Sequence, residues 1–246
     1  PSLWMLAHLD LSESSVVGAT IPGIPIIFSG KNDRLAWGAS FSFIDDQDLY
    51  FEKINPENKE EYLSPLGYKR FTSQKKLIKV KDSSTVSFSV RRTANRVIIP
   101  HQIYGMQSLV PNGFRISLAW SGFNKNDKTL ETFIKLMSAK KFDEFKATMP
   151  LTNSFNLILV IAEETEIHSV FLGNAPRRAK GNETKGLVIT PGWKFLNQWL
   201  PELKEEDKLI TLSNKNGVIL NTNNSFFKEG SQNHISFNWG DEQRLL

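Results

Sequence analysis

In the first half of the chain the apolar residues fall in short runs bounded by turn residues, which is the signature of strands. Residues 24–28 form one such run and read as a strand buried on both faces. Residues 35–43 form a second, and 49–54 a third, closed by Asn55-Pro56. Residues 76–81 and 85–91 follow. In the latter, Val86, Phe88 and Val90 alternate with serines, which predicts a strand with one buried face. Residues 97–99 stop at Pro100, and Phe114–Trp120 completes the series.

The period then changes. Leu130, Phe133, Ile134 and Met137, followed by Phe142 and Phe145, recur at helical spacing. They predict two helices or one bent helix over 129–149, with Asp127 or Thr129 as the cap and the lysines and glutamates facing water. Strands return at 155–162 and Ile167–Leu172, joined through Glu163-Glu164-Thr165-Glu166 as a hairpin. Residues 173–186 read as a loop, 193–199 as a short helix, and 217–220 as a last strand entering the Asn-rich stretch 221–224. The tail from Asn238 looks like the start of a helix. Strands on both sides of a helical insert, with no repeat and no linker, predict an α+β fold and one domain over 1–246.

Composition narrows the classes. Hydrophobic residues make up 40% and aromatics 11% of the 246 positions, as in a folded globular chain. Thirty basic side chains stand against 26 acidic ones, a net charge of +4, and they are scattered. No basic run is interleaved with aromatics, which argues against nucleic acid as a partner. No apolar run is long enough to span a membrane. The chain has no cysteine, so disulfides, thiolate zinc and a cysteine nucleophile are excluded. It opens at Pro1 without an initiator Met, which reads as a processed chain or a piece of a longer one.

Most familiar chemistries find no anchor. The four histidines, at 8, 101, 168 and 234, lack metal-ligand spacing. There is no Gly-x-Ser-x-Gly elbow, dinucleotide fingerprint or phosphate loop, so no organic cofactor is expected. Two groups remain. Asp45-Asp46-Gln47-Asp48 is either an exposed acidic turn or a hard-cation site, since Asp45 and Asp48 converge in a turn. Asn221, Asn223 and Asn224 follow a strand end. They are either turn residues that tolerate left-handed backbone or amide donors for a developing oxyanion.

Several segments, in order, resemble the β-chain of the penicillin acylase (penicillin amidase) family of N-terminal-nucleophile hydrolases. They are Pro1-Ser2-Leu3-Trp4 with His8-Leu9, Pro22-Gly23-Ile24-Pro25, Ser29-Gly30-Lys31-Asn32 with Leu35-Ala36-Trp37-Gly38, and Asp46-Gln47-Asp48-Leu49-Tyr50. Arg92-Thr93, Phe142-Asp143-Glu144-Phe145, Thr222-Asn223-Asn224 and Trp239-Gly240 with Arg244 continue the series. Each motif is weak alone, but their order spans essentially the whole chain.

The resemblance implies a four-layer αββα sandwich and a hydrolase of linear amides working through an acyl-enzyme. It implies a nucleophile that is the N-terminal Ser of the β-chain, exposed by autocatalytic cleavage and placed upstream of the Pro1 motif. Ser2 sits in the wrong motif for that role, so this polypeptide alone is expected to be inactive. The backbone N–H of Phe41 and the side chain of Asn223 are implied as the oxyanion hole, with Arg244 near the nucleophile. Ser29 and Ala39 match acyl-pocket positions. Asp45, the carbonyl of Gln47, Asp48 and, more weakly, Asn233 match calcium ligands. The implied partners are a small amide substrate and the α-chain and upstream β-chain segment of the same precursor. The implied location is periplasmic or secreted, and the biological role stays open among nutrient scavenging, signal quenching and antibiotic modification. Lys31, Asn95-Arg96 and Phe226 depart from the pattern, and Ser29 replaces a larger apolar residue, which leaves the acyl group open. The competing reading is a non-catalytic β-rich ligand-binding or structural module with an acidic-loop calcium site.

Overall fold

A computed structural model describes residues 3–12, 14–100, 108, 110–200, 212–213, 218–221 and 223. In chain order its strands begin with β1 (Met5–Asp10), β2 (Ser15–Thr20), β3 (Ser29–Lys31), β4 (Ala36–Phe41), β5 (Gln47–Lys53) and β6 (Glu61–Ser64). Next come β7 (Gly67–Arg70), β8 (Thr72–Ile78), β9 (Val86–Arg92), β10 (Val97–Ile98) and β11 (Phe114–Trp120). Helices α1 (Thr129–Ser138) and α2 (Phe142–Lys146) precede β12 (Leu157–Ala162) and β13 (Ile167–Leu172). The short strands β14 (Arg177–Arg178), β15 (Thr190–Pro191), β16 (Trp199–Leu200) and β17 (Leu212–Ser213) end the order. The α+β expectation holds. The contacts gather in two compact units. The first holds Pro1–Asp45, Ser121–Ala175 and Glu202–Leu246; the second holds Asp46–Trp120 and Pro176–Pro201.

The first unit is a sheet in the order β1-β2-β3-β4-β12-β13-β17, antiparallel throughout, with α1 and α2 on one face. Trp37 of β4, Leu157, Leu159 and Ile161 of β12, and Val170 and Leu172 of β13 pack against Phe133, Leu136, Met137, Phe142 and Phe145. Each fully buried side chain of this size contributes about 1.5–3 kcal/mol, so this layer dominates the unit's stability. Gly18 and Gly30 face each other across β2 and β3. A Cβ on Gly18 would lie 2.3 Å from the Ser29 carbonyl oxygen, and one on Gly30 2.3 Å from that of Val17, so only glycine lets these strands meet.

Residues 24–28 are buried as expected but do not form a strand. Pro25 has no N–H to give a ladder. The carbonyls are satisfied by side chains instead: Thr20 Oγ1 donates to Ile26 O at 2.5 Å and Trp37 Nε1 to Ile27 O at 3.0 Å. The segment therefore fills the core as an irregular plug before β3.

The insert is two helices, with its buried stripe shifted from the expected one. Thr129, Thr132, Phe133, Leu136 and Met137 are inside, whereas Leu130 and Ile134 stay about half exposed. The two threonines can be buried because their hydroxyls have local partners, Asp127 Oδ1 at 2.6 Å and Thr148 O at 3.1 Å. Neither Asp127 nor Thr129 is the cap; that position is Lys128, without a side-chain cap bond. Asp127 reaches the approach to β12 instead. It accepts from Asn153 N (2.8 Å), Ser154 N (3.2 Å) and Ser154 Oγ (2.5 Å). At the other end of α1, Asn32 Nδ2 donates to the carbonyls of Met137 (3.1 Å) and Ala139 (2.9 Å).

Partial burial alone would raise the Asp127 pKa, but the hydrogen bonds from Ser154, Thr129 and Asn153 outweigh it and hold the carboxyl below the usual carboxylate value. A lowered folded-state pKa gives stability that is present above the unfolded value and lost as pH falls through the folded one. Asp127→Asn should therefore lower the thermal midpoint at neutral pH, and the gap to wild type should close on acidification below about pH 4. Melting curves across that range check it; a gap that stays constant with pH would show that Asp127 contributes nothing through its charge.

The second unit is a sheet in the order β15-β5-β11-β10-β9-β8, with β15 parallel to β5 and the rest antiparallel, plus the small pairs β6-β7 and β14-β16. β9 forms where alternation predicts it, but its expected buried face is open: Val86 is 50% and Phe88 45% exposed. β8 and β9 are the sheet's outer hairpin, and the described residues of this unit bring no second layer over them. The short helix expected at 193–199 is a single 3₁₀ turn, Phe195–Asn197, running into β16. Residues 218–220 are irregular rather than a strand, and Gly217 and the tail from Asn238 lie outside the described residues. Among the described residues no helix is long and apolar enough to cross a membrane.

Candidate active site

The end of β4 is where the first unit exposes backbone donors. Phe41 lies opposite Leu157, and the next residue, Ser42, donates its N–H to Asn156 O at 3.1 Å. Residues along an antiparallel strand bond alternately to one neighbour and the other. The N–H and C=O of Phe41 are therefore turned away from β12, toward the β3 side. Pairing between β3 and β4 ends at Gly30 and Trp37. The next N–H on that side, Ala39, is taken by Ser29 Oγ at 3.0 Å. The N–H of Phe41 points past the end of β3.

Asn223 meets this edge. Its Nδ2 donates to Ser40 Oγ at 2.9 Å and to the Phe41 carbonyl. Its own N–H is held by Asn221 Oδ1 at 2.8 Å, a turn closed by a side chain, and its φ is +63°. Asparagine is one of the few residues that adopts this left-handed backbone readily while keeping an amide to donate. The structure thus brings Phe41, Asn223, Ser29 and Ala39 together along one strand edge. The N–H of Phe41 and the amide of Asn223 lie on the same side of β4, because a residue's N–H and C=O leave a strand together. Two neutral donors so placed can stabilise a charge that develops on a carbonyl oxygen.

The acidic cluster is arranged differently. Asp48 is buried at 4% exposure and bound by Arg178, Oδ1 to Nη2 at 2.6 Å and Oδ2 to Nε at 3.0 Å. Trp199 Nε1 (2.6 Å) and the Tyr50 hydroxyl (3.3 Å) also donate to Oδ2. The carboxylate is thus neutralised by a guanidinium and saturated with donors, which does not fit a calcium ligand. Asp46 accepts from Trp120 Nε1 at 2.9 Å, and Gln47 begins β5. Among the described residues no three carboxylates or imidazoles cluster as a metal site would need. Asn233 and Arg244 lie outside the described residues.

Asp48 is one rung of a buried polar ladder on β5. Tyr50 and Glu52 follow on the same face. Arg96 bonds Glu52 at 2.7 Å, with its guanidinium 4.4 Å from the centre of the Tyr50 ring. Burial pushes the Glu52 carboxyl up, opposed by Arg96 and Ser117, and burial pushes the Tyr50 hydroxyl well above its usual value. Gly186, at φ +87°, makes the room: a Cβ there would lie 2.2 Å from Asp48 Oδ1.

Sequence reasoning missed Ser40, Arg178, Trp199 and the structural use of Arg96. Arg178 is one of the scattered basic side chains, and its link to Asp48 crosses 130 residues. The alternation of Asp48, Tyr50 and Glu52 with apolar residues was a usable signal for a polar buried face.

The chain is similar to several known proteins. A family profile described as Penicillin amidase matches residues 1–246. The acyl-homoserine lactone acylase QuiP of Pseudomonas syringae pv. tomato is 29% identical over 201 residues, covering 80% of this chain and 23% of that protein. Penicillin G acylase of Escherichia coli is 26% identical over 235 residues, covering 94% of this chain and 26% of that protein. The chain therefore spans about a quarter of the length of these relatives. A thermostable penicillin G acylase from Alcaligenes faecalis superposes with a TM-score of 0.75 at 20% identity, over 97% of this chain and 41% of that one. The fold is shared with that enzyme.

Proposed function

This chain belongs to the penicillin amidase family, and we propose from that premise that it carries the oxyanion hole and part of the acyl pocket of an acylase that cleaves linear amides, R–CO–NH–R′. The observation that supports this reading is the placement of the Phe41 N–H and the Asn223 amide on one side of β4. In the proposed reaction a serine hydroxyl attacks the amide carbonyl and passes its proton to a base. The carbonyl oxygen becomes an oxyanion between Phe41 N–H and Asn223 Nδ2. Collapse breaks the C–N bond, the nitrogen takes the proton and leaves as the amine, and water then hydrolyses the acyl-enzyme to the acid. The attacking oxygen is assigned to none of the described residues. It is the N-terminal serine of the family's processed chain, whose α-amine titrates near pH 8 and can serve as the base. Ser29 and Ala39 line the acyl side, and the remaining chains of the same precursor are the partners.

The relatives' names supply the substrate panel: acyl-homoserine lactones, taken at several acyl chain lengths, and penicillin G. The full-length processed enzyme should release free amine from at least one of them, and hydroxylamine should intercept the acyl group as a hydroxamate. Failure to release amine from every member, with an intact N-terminal serine verified by mass, would sink the proposal.

A further inference from the structure

We infer that Ser40 is the positioning residue of the oxyanion hole: its hydroxyl anchors one Nδ2 hydrogen of Asn223 while the other transfers from the Phe41 carbonyl to the oxyanion. The inference rests on the reading of Asn223 as an oxyanion donor and goes beyond it by assigning what aims that donor.

A primary amide has two N–H donors and one carbonyl acceptor. Both donors of Asn223 are engaged here, one by Ser40 Oγ at 2.9 Å and one by the Phe41 carbonyl. The two partners do different work. The Phe41 carbonyl only accepts, so it decides which end of the amide faces β4; turned over, the amide would set one carbonyl against another. A serine hydroxyl can donate or accept and does not choose the end. It holds the position of Nδ2 instead.

The two bonds also respond differently to substrate. An oxyanion bound by the Phe41 N–H lies beside the Phe41 carbonyl, because both groups leave the strand on the same side. A charged acceptor forms the stronger hydrogen bond and displaces the neutral carbonyl. The Ser40 side chain projects from the opposite face of β4 to those of Ala39 and Phe41, so its bond persists through the exchange. Ser40 thus keeps Nδ2 in place at the moment its other hydrogen changes partner. Without it Nδ2 loses the partner that stays in place when the Phe41 carbonyl is left.

Steady-state kinetics of the full-length enzyme test this. Ser40→Ala should lower kcat about tenfold, the worth of one hydrogen bond, with KM unchanged within about twofold. Ser40→Thr keeps the hydroxyl and should stay within about threefold of wild type. In an Asn223→Ala background, Ser40→Ala should change kcat by less than about twofold, because the group it aims is gone. If Ser40→Ala matches wild type while Asn223→Gly, which carries no backbone strain at this position, is crippled, the positioning role is wrong and the oxyanion hole stands. An equal loss in the Asn223→Ala background, or a threonine variant as slow as alanine, overturns it as well. If Asn223→Ala itself retains activity, the oxyanion reading falls and takes this inference with it.

Discussion

Asn223→Ala in the full-length enzyme should lower kcat by about 10²–10³-fold while KM changes little, because an oxyanion donor acts only where charge has developed. The position complicates a simple alanine test. Asn223 sits at φ +63°, where alanine is strained by roughly 1–2 kcal/mol and glycine is not. Asn223→Gly separates the two effects. If both variants lose activity to the same extent, the missing amide is responsible; if glycine restores it, the loss was a matter of backbone. Asn223→Asp keeps the shape but presents an acceptor and a negative charge to the oxyanion, and should be at least as slow as alanine. Activity within a few-fold of wild type in the glycine variant would remove Asn223 from the oxyanion hole.

The largest effect on stability should come from Arg178. Its guanidinium and the Asp48 carboxylate are about 95% buried and form a two-point pair. Removing one partner of a buried pair leaves the other charge uncompensated and costs about 3–5 kcal/mol. Arg178→Ala should therefore lower the unfolding midpoint sharply. Arg178→Lys should recover only part of the loss, because an ammonium cannot reproduce the forked contact. The same pair predicts that calcium chelation leaves the wild-type midpoint unmoved. Denaturant or thermal melts of the three proteins, each with chelator and with added calcium, decide the matter. A calcium-dependent rise in the wild-type midpoint would show a cation competing with Arg178 for Asp48.

The contrast between these two sites shows how far the residues alone can be read. The pairing of Phe41 with Asn223 came from the family resemblance, not from a mark the residues carry locally, and in the structure the Asn223 amide reaches the Phe41 carbonyl. The acidic cluster was legible as chemistry but not as a site. Four acidic and amide side chains in a row state that charge must be managed, without stating whether by a metal, by water or by an arginine 130 residues away. Ser40 carries no local mark at all, since a serine between an alanine and a phenylalanine in a strand is ordinary until Asn223 is seen beside it.

Local pattern by itself determined the elements whose stability is local or whose neighbour lies next in sequence. The hairpin of β12 and β13, the strand Phe114–Trp120 and the two helices of the insert follow from alternation, period and turn chemistry. Only the tertiary structure decided the rest. Residues 24–28 are apolar enough for a strand, but Thr20 and Trp37 take their carbonyls and make them a plug. Alternation in β9 gives a strand, but burial of its apolar face needs a covering layer that the pattern cannot supply. Asp48 became half of a buried ion pair because a distant guanidinium reaches it. The physical reason is common to all three: periodicity reports what a segment could bury or bond, and only the folded chain says which partner arrives.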